Sequence, residues 1–158
     1  MSQYIVIVTG MRDWEDKQQV HDELDRLFGD HLRRHGVIPW LGTKEHLLTD
    51  LRAAFVVRHG KSGNVDIAAN DWAIKNKVTC ERFQAQWHLP GGGTDYSAGP
   101  RRNREMAQAE PRADLCLAFW NGQFQRRHGR DVSGTHNMIC EALLADTYVK
   151  IVPPKAPR

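Results

Sequence analysis

The sequence predicts an α/β fold of the Rossmann-like type: an open parallel sheet of about five strands with helices on both faces. Three observations point to it. Short apolar, β-branched runs alternate with longer stretches whose apolar residues recur at helical spacing. Two of these runs, Tyr4-Ile5-Val6-Ile7-Val8-Thr9 and Ala113-Asp114-Leu115-Cys116-Leu117-Ala118-Phe119, are nearly continuous in apolar residues, as strands covered on both faces are. Each glycine-rich or arginine-rich loop follows a strand, and ligands of such sheets sit at the carboxyl ends of the strands.

The first strand ends at Gly10, and Met11-Arg12-Asp13-Trp14 forms a loop. Val20, Leu24, Leu27, Phe28 and Leu32 then mark an amphipathic helix over residues 16–34, stopped by Gly36 and Pro39. A short extra helix is expected over 45–52, before a second strand at 54–58. Glycines 60 and 63 break that strand. Val65, Ala68, Ala69, Trp72 and Ala73 resume at helical spacing and end near Lys77. Residues 78–83 read as the third strand. Residues 86–99 form a long loop, and Pro100 suits a helix start before residues 101–109. The fourth strand at 113–119 leads into a basic loop over 120–133. A helix opened by Gly134 and Thr135 turns Met138, Ile139, Ala142, Leu143 and Leu144 inward, and residues 148–152 are the last strand. The organisation expected is one domain over 1–152 with a disordered proline-rich tail at 153–158.

Composition narrows the function. The chain has 158 residues, 41% of them apolar and 26% charged, enough for a core without staples. No run is apolar and long enough for a bilayer span, and the first residues lack the blocks of a signal peptide. A membrane partner is therefore not expected. Cys80, Cys116 and Cys140 form no CxxC pair, so they read as reduced, buried thiols of a cytoplasmic protein. His59, His88, His128 and His136 show no HxH or HExxH spacing, and no metal is expected. The net charge of +3 allows a phosphate ligand without requiring nucleic acid.

Strand, glycine turn and helix at residues 54–73 is the unit that can present backbone amides and a positive helix end to an anion. The same glycines are also what an ordinary strand-to-helix turn requires.

Four loops in order carry a resemblance: Thr9-Gly10-Met11-Arg12-Asp13-Trp14, then His59-Gly60-Lys61-Ser62-Gly63-Asn64-Val65-Asp66, then Ala98-Gly99-Pro100-Arg101-Arg102-Asn103-Arg104-Glu105-Met106, then Ala113-Asp114 with Ser133-Gly134-Thr135. Together they resemble the YspA-core (YpsA-related) domain family of the SLOG superfamily, which also holds Lonely Guy enzymes and DprA proteins. The second motif departs from the family's usual His-Gly-Gly-Ala-Arg-Gly-Ala-Asp at Lys61-Ser62 and Asn64-Val65. The resemblance implies a Rossmann-like fold that binds a nucleotide or nucleotide-derived phosphorylated ligand, as a sensor or a ligand-processing module. No cofactor beyond the ligand is implied, and a homodimer is.

The residues so implied at the ligand are Gly10, Arg12, Asp13, Gly60, Ser62, Gly63, Asp66, Arg102, Asn103, Gly134 and Thr135. Gly60, Gly63, Gly134 and Thr135 would cradle phosphate, and Arg102 would pair with it. Arg12 and Asp13 would contact the ligand or pair with each other, and Asp66 would hold a ribose or cap its helix. Lonely Guy enzymes hydrolyse the N-glycosidic bond of nucleoside 5′-monophosphates. Their signature is Pro-Gly-Gly-x-Gly-Thr-x-x-Glu, and here Met138 falls where its glutamate belongs. Glu105 and Glu141 are the remaining carboxylates for such a reaction, so hydrolysis stays open as the second reading. A third is nucleic-acid binding of the DprA type, with Arg126, Arg127 and Arg130 as its footprint.

Overall fold

The computed structural model describes residues 2–38, 42 and 44–156. Pro39, expected to stop the first helix, lies outside them, as do Pro157 and Arg158 of the tail. The elements in chain order are β1 (Tyr4–Gly10), α1 (Lys17–Arg34), α2 (Glu45–Ala54), β2 (Phe55–His59), α3 (Gly63–Asn76), β3 (Thr79–Arg82), α4 (Ala98–Gln108), β4 (Leu115–Phe119), β5 (Gln125–Arg127), β6 (Arg130–Val132), α5 (Gly134–Leu144) and β7 (Tyr148–Val152).

Five strands form one parallel sheet in the order β3-β2-β1-β4-β7. The alternation along β1 sorts its side chains onto two faces. Val6 and Val8 join Phe55, Leu117 and Phe119 beneath α1 and α3. Ile5 and Ile7 join Val56 and Cys116 beneath α4 and α5, through Met106, Ala107, Met138 and Ala142. Asp114 extends the ladder, its carboxylate accepting the Ile5 amide at 2.8 Å. At the other end of β1, a Cβ on Gly10 would overlap the Val65 side chain, so bare backbone lets α3 lie against the strand.

Chain order fixes where loops converge. From β1 the chain winds through α1 and α2 to β2, and then through α3 to β3. It then returns past β1 to β4 and β7, on the opposite side. Loops leaving β1 and β4 therefore diverge to opposite faces, and a crevice opens between them.

Four expectations are corrected. The basic stretch 120–133 contains the β5–β6 hairpin, closed by His128 at φ 50° and Gly129 at φ 74°. Two consecutive left-handed residues make the two-residue turn whose twist suits a hairpin. Leu143 and Leu144 are 57% and 81% exposed, because the buried arc of α5 is centred on Met138 and Ala142 and both leucines lie outside it. Helix α4 begins at Ala98, which puts Pro100 inside the first turn, where no helical partner is needed for its missing amide. Cys116 is buried, and burial pushes its thiol up to about 12, but Cys80 and Cys140 are partly exposed.

Candidate functional site

The β2–α3 turn is held by its own polar groups. The Lys61 amide donates to His59 Nδ1 at 3.0 Å, and His59 Nε2 bonds Asn70 Oδ1 at 3.1 Å. A ring that accepts at Nδ1 must carry its proton at Nε2, so this histidine is neutral. Burial lowers its pKa in keeping with that. The Ser62 amide donates to Asp66 Oδ2 at 2.8 Å, and the Asn64 amide donates to the Arg12 carbonyl at 2.9 Å. Asp66 thus caps its own helix from one turn inside it. It is 5% exposed, and burial raises its pKa to about 7 against the pull of the Ser62 and Gly60 amides, Arg102 and Arg12.

Helix α4 brings Arg102 to the same turn. Its Nη1 donates to the Gly60 carbonyl and to Phe83 O, the latter at 3.2 Å, and its Nε donates to Asn103 Oδ1 at 2.9 Å. Nη2 carries no bond among the described residues. Asn103, 5% exposed, donates to Asn137 Oδ1 at 2.8 Å and to the Gly134 carbonyl at 3.4 Å. One network therefore joins the starts of α3, α4 and α5. Gly60, Ser62, Asp66, Arg102, Asn103 and Gly134 belong to it.

Other candidates take different places. Gly10 packs α3 against β1, as above. Arg12 and Asp13 are both exposed, and no ion pair joins them; the Arg12 guanidinium lies 5.8 Å from the centre of the Trp87 ring. Thr135 is buried, and the cap of α5 is the Ser133 hydroxyl, which accepts from the His136 amide at 3.1 Å. Glu105 is exposed. Glu141 is buried against α4 with Arg104 at 3.5 Å, about two turns from the start of α5. Met138 is fully buried in the core beneath α4 and α5. The Pro90-Gly91-Gly92-Gly93 stretch is a tight exposed turn closed by a His88–Thr94 bridge.

Gly63 holds the turn to the first loop. It has φ of +80°, and a Cβ there would sit 2.6 Å from Arg12 Cα. Gly63→Ala is expected to destabilise the fold by about 2–3 kcal/mol in urea unfolding, through strained backbone and a clash with backbone that cannot swing aside.

Sequence reasoning missed Lys61, Asn70 and Arg82 as a group. With His59, Asp66 and Ile67 they line a pocket of about 190 Å³ beside the turn. Arg82 Nε donates to Asn70 Oδ1 at 2.7 Å. The available signal was topological: Arg82 closes a strand neighbouring β2, so it had to reach the same edge. Among the described residues, no group of three or more His, Cys, Asp or Glu side chains is placed to hold a metal. Among them too, no helix is long and apolar enough to cross a membrane.

Comparisons with known proteins bear on this edge. No family model matches the chain. The Gene 61 protein of Mycobacterium phage D29 is 34% identical over 119 residues, covering 72% of this chain and 74% of that protein. The crystal structure of DNA processing protein A (DprA) from Streptococcus pneumoniae superposes with a TM-score of 0.59 at 14% identity. It covers 97% of this chain, which spans about half (51%) of the DprA chain. The two share a fold: the five-stranded Rossmann-like sheet with helices on both faces.

Proposed function

We propose that this chain, which belongs to the family of the phage Gene 61 protein, binds a nucleotide or nucleotide-derived phosphorylated ligand at the carboxyl edge of its sheet. One observation carries the reading. The cations Arg12, Lys61, Arg82 and Arg102 gather around the β2–α3 turn, with the buried carboxyl of Asp66 among them. Asp66 holds the Ser62 amide, with the Gly60 amide and Arg102 close by, so it stands in for the ligand's anion and yields when phosphate arrives. Phosphate is then met by the released amides and the unused Nη2 of Arg102.

A thermal-shift panel of AMP, ADP-ribose, NAD, cyclic nucleotides and free bases tests this. A ligand at about a hundred times its Kd adds about 2.7 kcal/mol, or roughly 5–10 °C in Tm for a domain of this size. No shift with any phosphate-bearing compound would sink the reading.

The first and third loop motifs support the narrower view that the chain is a YspA-core relative within the SLOG superfamily. The reading includes a cytoplasmic place, supported by three free thiols, and a homodimer, supported by Leu144 and Tyr148 exposed around the edge strand β7. Binding without hydrolysis is favoured over the Lonely Guy reaction. Met138 offers no carboxylate, Glu105 faces solvent, and Glu141 is engaged by Arg104.

The β5–β6 hairpin favours a second reading. Arg126, Arg127 and Arg130 are exposed on it, with Phe124 beside them, and the hairpin tip packs His128 against the exposed Tyr96 ring at 5.3 Å. Basic side chains interleaved with aromatic faces suit a single nucleic-acid strand, and the fold's match is named a DNA processing protein. Single-stranded oligonucleotide binding should weaken with salt, and Arg127→Gln with Arg130→Gln should flatten the log–log slope by about 1.4. An unchanged slope would remove the hairpin from the interface.

A further inference from the structure

The pocket of about 190 Å³ beside the β2–α3 turn is lined by two cations, Lys61 and Arg82. Both are tied to the nitrogens of one imidazole ring. The Lys61 amide donates to His59 Nδ1 at 3.0 Å, while His59 Nε2 and Arg82 Nε meet on Asn70 Oδ1 at 3.1 and 2.7 Å. A third cation, Arg102, reaches the carbonyls of Gly60 and Phe83, the residues that follow His59 and Arg82. After burial, the charges of Arg82, Arg102 and Lys61 each press the His59 pKa down, so three cations surround one neutral ring. No ion pair among the described residues engages any of the three. Asp66 also lines the pocket, with its Oδ2 taken by the Ser62 amide at 2.8 Å. Like charges gathered in this way repel one another, and a bound anion relieves the repulsion.

The backbone gives an independent sign. Lys61 has φ 53°, in the left-handed region where glycine is free and a residue with a Cβ is strained. Glycine would form the same turn without that strain, so what the lysine adds is its ammonium. Strain kept at a cavity wall points to a ligand there.

We propose that this pocket is a second phosphate subsite, in which Lys61 and Arg82 hold the outer phosphate of a nucleoside diphosphate while Arg102 holds the inner one at the turn. The Lys61 ammonium and both Nη groups of Arg82 carry no hydrogen bond among the described residues, and neither does Nη2 of Arg102. Each set of free donors can take one phosphate. A monophosphate fills the Arg102 subsite and leaves Lys61 and Arg82 without a counter-charge. Lys61 is thereby the residue that selects two phosphates over one.

This inference rests on the nucleotide reading above, and the experiment separates the two. Calorimetry without divalent cations compares ADP with AMP and CDP with CMP, on the wild type, Lys61→Gly, Arg82→Ala, Arg102→Ala and Lys75→Gln. Lys61→Gly removes the ammonium from a backbone that glycine adopts freely, so its Tm should not fall. Lys75 is exposed in the last turn of α3, and its variant removes one charge from the same helix without touching the pocket. At least one diphosphate should bind about tenfold tighter than its monophosphate, the gain expected of charge-assisted hydrogen bonds to one further phosphate. That ratio should collapse in Lys61→Gly and Arg82→Ala and persist in Lys75→Gln. It should persist in Arg102→Ala too, while both affinities fall. Equal binding within both pairs, or a ratio unchanged in Lys61→Gly and Arg82→Ala, overturns the second subsite; affinity still lost in Arg102→Ala then leaves the nucleotide reading standing. Binding of none of the four overturns both.

Discussion

Arg102→Ala is expected to lower affinity for a phosphate-bearing nucleotide about a hundredfold, corresponding to about 2.7 kcal/mol of charge-assisted hydrogen bonding. The side chain does two things at once. It fastens the β2–α3 turn to α4 through the Gly60 and Phe83 carbonyls, and it keeps Nη2 for the ligand. Removing it also leaves two carbonyls without their donor, so a stability loss of about 1–3 kcal/mol accompanies the binding loss. Arg102→Lys separates the two effects. It keeps the charge but not the planar fork, so the turn loosens while some attraction for phosphate survives. Calorimetry and urea unfolding on both variants check this; Arg102→Ala that binds like the wild type would detach Arg102 from the ligand.

Asp66→Asn should act in the opposite direction. Burial raises this carboxyl from 3.8 to about 7. Between those values the folded chain holds a proton that the unfolded chain has released. Stability from this group is therefore full below about pH 4 and is lost as pH rises toward 7. Asparagine has no charge to desolvate and still offers the Ser62 amide an acceptor. The variant should exceed the wild type at pH 8 by about 2–4 kcal/mol, since roughly three pH units at about 1.4 kcal/mol each set the ceiling. The difference should vanish near pH 4. Binding of a pyrophosphate diester such as NAD should also strengthen in the variant at pH 8, because the ionised carboxylate no longer competes for the same donors. Urea unfolding from pH 4 to pH 8 measures the first effect; equal curves for the two proteins would show that Asp66 is not strained.

The centre of the sheet was legible because β1, β2 and β4 are covered on both faces and so appear as nearly unbroken apolar runs, Tyr4 to Thr9 most plainly. The hairpin was not, because β5 and β6 are wholly exposed and carry no apolar alternation; its one signal is His128-Gly129, a turn pair weaker than Asn-Gly. Leu143 and Leu144 misled because composition near a helix end says little about which arc is buried. At the site, Arg102, Asp66 and Asn103 could be picked out from their motifs, and the structure joins them in one network. The roles within it could not be read. That Asp66 takes the Ser62 amide, and that Arg102 holds Gly60 O, depends on how α3 and α4 meet from opposite faces of the sheet.

The most direct test of the account is calorimetric comparison of nucleotides with their own nucleosides on the wild-type chain, AMP against adenosine and CMP against cytidine, at neutral pH and moderate salt. If phosphate is held at the β2–α3 turn, at least one nucleotide binds about a hundredfold tighter than its nucleoside, the difference expected for a phosphate engaged by Arg102 and the turn. Equal affinity of nucleotide and nucleoside, or no binding by either nucleotide, would contradict it.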